Sequence, residues 1–193
     1  MFSFQGLPEK QIFMGNIFFI GCCLFYLAWW LLAFKPVGAI TGAKSGWLLL
    51  PAAVSGIAGV AMIVNGITQK TLSNQLIPFE FIAWGGIVLF IVLLIVTGMV
   101  FDRPVTTELI LIVGWGVLTL AEINALFGLG ILSRNISISI LIILVLALIV
   151  SLVCYTIYYN LDRNAGYLVG MIPLLLAALI MIVISCAMIF SKN

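Results

Sequence analysis

The residues able to do chemistry are few, and they narrow to one. Histidine is absent from the 193 residues, which removes the commonest general base and the usual haem and zinc ligand. Cys22, Cys23, Cys154 and Cys186 sit inside apolar runs without CxxC spacing, so they read as small packing residues rather than a metal or redox set. No HExxH, glycine-rich phosphate loop, G-x-S-x-G elbow or carboxylate cluster occurs, and neither catalysis nor a cofactor or metal is expected. What remains is LTLAEINALF, residues 118–127, where Glu122 stands among apolar side chains relieved only by one Thr and one Asn.

An ionised carboxylate at mid-membrane costs about 2.5–3.5 kcal/mol on insertion scales. If the stretch is a membrane helix, Glu122 must therefore point into a bundle, hold a proton, or both. No Lys or Arg falls within the apolar runs to neutralise it, so the expected state near neutral pH is the uncharged acid. On a helix its neighbours are Leu118, Thr119, Ala125 and Leu126, and of these only Thr119 offers a hydrogen bond. Partners at comparable depth on other helices are Asn65, Ser151 and Cys154, while Asn124 points away. The candidate ligand- or ion-binding set is therefore Glu122, Thr119, Asn65 and Ser151. Three roles follow: handling a proton or cation, donating to a polar substrate, or a structural hydrogen bond that fixes helix register.

The elements that position this acid are legible in the composition. The chain is 65% hydrophobic and 7% charged, against about 25% charged in a soluble domain, so its solvent must be largely lipid. Net charge is only +2, which argues against nucleic acid. The start, MFSFQGLPEKQIF, has neither a basic n-region nor a small-residue cleavage site, and the first apolar run is expected to be retained.

Charged residues mark the boundaries. After a short segment, 1–10, a single domain over 11–191 is predicted to hold six helices at about 11–34, 46–68, 80–101, 106–131, 137–159 and 165–190. Each reaches the roughly 20 apolar residues that span a hydrocarbon core, and every charge except Glu122 falls in a loop or at a helix end. Short connections predict an all-α, compact antiparallel bundle. Trp29, Trp30, Phe34 and Trp47 flank the first loop, and Tyr158, Tyr159 and Tyr167 the fifth, forming one expected aromatic belt. Lys35, Lys44, Arg103 and Arg163 fall on one side, with Lys10, Lys70, Arg134 and Lys192 on the other. The tie gives no orientation by the positive-inside rule.

VFDRPV at 100–105 and NLDRNA at 160–165 place Asp-Arg pairs 60 residues apart, and AFKPVG occupies the equivalent place in the first loop. The pattern suggests three helical hairpins as parallel repeats, with the Asp-Arg pairs anchoring helix ends. The Pro-bearing hairpins resemble HdeD-type short-repeat membrane proteins, which are similar in size and helix count. DRNAGYLVGMIPLL, 162–175, resembles the last helix of the tryptophan-rich sensory (translocator) proteins, although the Pro-Pro motif of that family's first loop is missing. Gly166 and Gly170 make a GxxxG face, and Ala52, Ser55, Gly56 and Gly59 a small-residue stripe. Both are expected to seat helices within the bundle, the alternative being a homo-oligomer.

The sequence thus predicts a multi-pass protein of the plasma (inner) membrane, with the bilayer as its solvent. Its expected role is to transport, conduct or sense a small solute or ion with Glu122 in the pathway. The alternative is a non-transporting structural or regulatory subunit that packs against partner membrane proteins.

Overall fold

A computed structural model describes residues 6–39, 43–69, 75–100, 107–158 and 160–191. Those residues form seven helices and no strand: α1 (Leu7–Ala33), α2 (Ala43–Gly46), α3 (Leu49–Thr68), α4 (Phe79–Val100), α5 (Thr107–Gly128), α6 (Arg134–Tyr158) and α7 (Arg163–Phe190). Six are long and apolar enough to cross a membrane, with the short α2 leading into the second span. Six long helices are found as expected, but the starts of α1, α6 and α7 move outward past a charge, while α5 stops at Gly128, short of the predicted 131. Lys10, Arg134 and Arg163 lie inside helices rather than beyond them. α1 begins at Leu7 because Pro8 suits a first turn and Glu9 faces the positive end of the dipole.

The main helix contacts run in the order α3–α1–α7–α6–α5–α4, so each of the three predicted hairpins packs within itself. Asp102 and Arg103, which carry half of the repeat argument, lie outside the described residues. α5 is the centre: 61% of its apolar window is buried, against 6% for α4 at the edge.

α1 and α3 meet backbone to backbone. A methyl group on Gly59 would stand 2.9 Å from the Gly15 carbonyl oxygen, and one on Gly66 would stand 2.9 Å from that of Pro8. Gly56 faces Cys22, so the contacts run in opposite senses along the two helices. Ala52, Gly59 and Gly66 repeat every seventh residue and Ile63 fills the gap, which keeps one side of α3 against α1.

α7 is fixed to α1 at the other end. Trp30 Nε1 donates to the Tyr167 carbonyl at 3.1 Å, and a methyl group on Gly170 would collide with the Trp30 ring at 2.3 Å. The GxxxG face therefore receives an aromatic ring from its own chain. Trp30 also stacks on Phe34 at 4.3 Å and approaches Tyr158 at 6.0 Å, which gathers the first and fifth loops at one end. Tyr159 lies outside the described residues.

α5 stops in a Schellman motif. Gly130 takes φ +72, which glycine adopts without a Cβ penalty. Ile131 N–H then reaches the Leu126 carbonyl and Gly130 N–H that of Phe127, closing the helix end. Ser191 Oγ donates to the Ile131 carbonyl and ties the end of α7 to this turn.

Candidate functional site

Glu122 is 0% exposed. Its place follows from a spacing of three and four along α5: Ile112, Trp115, Thr119, Glu122 and Leu126 share one face, and all are buried. Helical rise puts Glu122 roughly 9 Å from the Gly128 end of α5, well past the midpoint expected from the longer predicted segment.

Its partner is Asn16 of α1. Asn16 Nδ2 donates to Glu122 Oε1 at 2.6 Å, with both side chains buried. Asn16 is also 0% exposed and lies roughly 14 Å inside α1. The remaining oxygens of the pair, Glu122 Oε2 and Asn16 Oδ1, are both buried without a hydrogen-bond partner. The asymmetry has chemical content. A carboxylate is acceptor-only and so is an amide oxygen, so the bonded pair carries two unsatisfied acceptors, which suits a donor or a positive species rather than an anion. A proton on Oε2 would turn the carboxyl into a donor and remove its charge, and a small cation would be drawn to the same unsatisfied oxygens.

The other sequence candidates do not bond the carboxyl. Thr119 is buried, but its hydroxyl donates to the Trp115 carbonyl at 2.8 Å, the bond back to the preceding turn that helical Thr commonly makes. Asn65 is exposed. The glycine stripe of α3 is what α1 accepts, and Asn65, next to Gly66, falls on the open side. Ser151 is 0% exposed, yet its hydroxyl has no hydrogen-bond partner, and with Trp115 it lines a cavity that Glu122 does not line. Cys154 lines the adjoining cavity and is a free thiol.

Asn124, two residues beyond the acid, has a separate task. Its Oδ1 accepts from Leu76 N at 2.8 Å and Ile77 N at 3.1 Å, and its Nδ2 donates to the Ile77 carbonyl at 2.7 Å. A buried amide thereby satisfies three backbone groups of the connection into α4. Sequence reasoning missed Asn16 as the partner. It stands with Gln11 as one of two amides in the first apolar run, and matching its depth to that of Glu122 would have nominated it.

Among the described residues, no group of three or more His, Cys, Asp or Glu side chains is placed to hold a metal ion. No protein-family model, curated protein or solved structure matches the chain.

Proposed function

We propose that the chain is a multi-pass membrane protein whose six long helices cross the bilayer in alternating directions, and that Glu122 and Asn16 bind a proton or a small cation during its transport. The observation that carries this reading is the pair of unpaired buried oxygens, Glu122 Oε2 and Asn16 Oδ1. No Lys or Arg bonds Glu122 among the described residues; Asn16 alone does. Neutrality at this depth therefore requires a bound positive species, and one that binds can also leave. Intramembrane acids of this kind belong to proton and ion pathways more often than to passive packing.

A second reading has one observation in its favour. Glu122 is sealed on all sides, which suits a regulatory or structural subunit that uses the acid–amide pair to fix α1 against α5. The two readings part in reconstituted vesicles containing a pH-sensitive dye, with a potassium gradient and valinomycin to drive proton uptake. Wild-type protein should acidify the lumen faster than Glu122→Gln, which keeps the shape and the hydrogen bonds but cannot exchange a proton. Uptake by the variant equal to that of wild type would leave only the subunit reading for protons; the same comparison with sodium or potassium flux covers the cation.

A further inference from the structure

We propose that the cleft between α1, α5, α6 and α7 binds an uncharged single-ring molecule through a carbonyl oxygen, with Trp115 and Ser151 as the hydrogen-bond donors. Two adjoining cavities make up the cleft, of about 90 and 120 Å³. They share Tyr26, Leu111, Ile112, Pro173 and Leu174 as walls. Pro173 stands inside α7 and presents a ring there in place of a flexible side chain.

The unpartnered donors belong to one of the two, the inner cavity lined by Trp115 and Ser151, whereas Glu108, Tyr155 and Tyr158 line the outer one. Trp115 is 7% exposed and Ser151 0%. Trp115 Nε1 and Ser151 Oγ are each buried without a hydrogen-bond partner. An indole N–H only donates, whereas a hydroxyl does either. A single carbonyl oxygen, with two lone pairs, accepts from both. Leaving such groups unpaired costs about 1–3 kcal/mol each, so a ligand that satisfies them gains selectivity over a plain hydrocarbon.

Size and charge set the rest. An apolar cavity of about 150 Å³ accepts benzene, so the two volumes together suit one ring and a short substituent. No Lys or Arg lines either cavity, and Glu108 stands only in the outer one, which disfavours an anion. A lone water could accept from both donors, but apolar walls offer it little beyond those two contacts.

Acetophenone is the probe and α-methylstyrene, the same shape without the oxygen, its control. Equilibrium binding of labelled acetophenone to the full chain in lipid nanodiscs should saturate above the level of empty nanodiscs. The infrared stretch of its 13C-labelled carbonyl should fall to lower frequency on binding. Trp115→Phe and Ser151→Ala should each weaken binding about fivefold to tenfold, as expected for one lost hydrogen bond, and each should reverse part of the infrared shift. Equal competition by α-methylstyrene, unchanged binding in both variants, or no saturable binding, as in a cleft holding water only, would each overturn the assignment.

Discussion

Replacing Asn16 and Glu122 by leucine, singly and together, measures what their bond does. Hydrogen bonds between helices within a bilayer average about 0.6 kcal/mol and reach about 1.7. At 2.6 Å, with both partners fully enclosed, this one belongs at the upper limit. Each single change also strands a polar group: Glu122→Leu leaves the Asn16 amide bare, and Asn16→Leu leaves the carboxyl bare. Such groups cost about 1–3 kcal/mol, so each single variant should lose about 2–3 kcal/mol. Removing both partners leaves two leucines of similar size, and that exchange is often close to neutral. The double variant should therefore be no less stable than the worse single one, giving a coupling of at least about 2 kcal/mol. Reversible unfolding in mixed micelles of rising SDS content supplies the four stabilities. Costs that add to within about 0.5 kcal/mol, as they do for independent sites, would refute a direct bond. Glu122→Gln is the companion test. Its amide can accept from Asn16 Nδ2 and donate to Asn16 Oδ1, so it should match or exceed wild-type stability whatever it does to flux.

Asn124→Ala should strip three hydrogen bonds from Leu76 and Ile77 and cost about 2 kcal/mol. Faster amide exchange at those two residues would check it. Gly59→Ala and Gly170→Ala place a methyl group against backbone at 2.9 Å and against the Trp30 ring at 2.3 Å; thermal unfolding in detergent should show losses of about 1–3 kcal/mol. Gly98→Ala and Gly114→Ala meet nothing within 4 Å, and should instead be neutral or gain up to about 1 kcal/mol from a stiffer unfolded chain.

Six long helices were legible because charge is excluded from a hydrocarbon-facing helix, so that gaps between charges trace the spans. Their ends were less legible, since Lys10 and Arg163 are tolerated in a terminal turn where backbone and solvent meet. Glu122 stood out for the same energetic reason. Its partner did not, because spacing along one helix says nothing about which other helix lies beside it. Asn65 and Asn16 are equivalent in type; what separates them is the glycine stripe of α3, which turns Asn65 outward while α1 brings Asn16 inward. Ser151 was nominated from its depth as a partner for Glu122, but only the assembled helices show that it and Trp115 line one cavity, each without a partner.

Glu122 and Asn124 sit on opposite flanks of α5, two residues apart, one gripping α1 and the other the connection into α4. Rotating α5 about its long axis in either direction would wrench both grips together. A twist that lets go of Asn16 therefore also slackens the tether of the outlying α4, whose window is only 6% buried. The central helix thus joins the two grips mechanically, and strain at one flank is carried to the other.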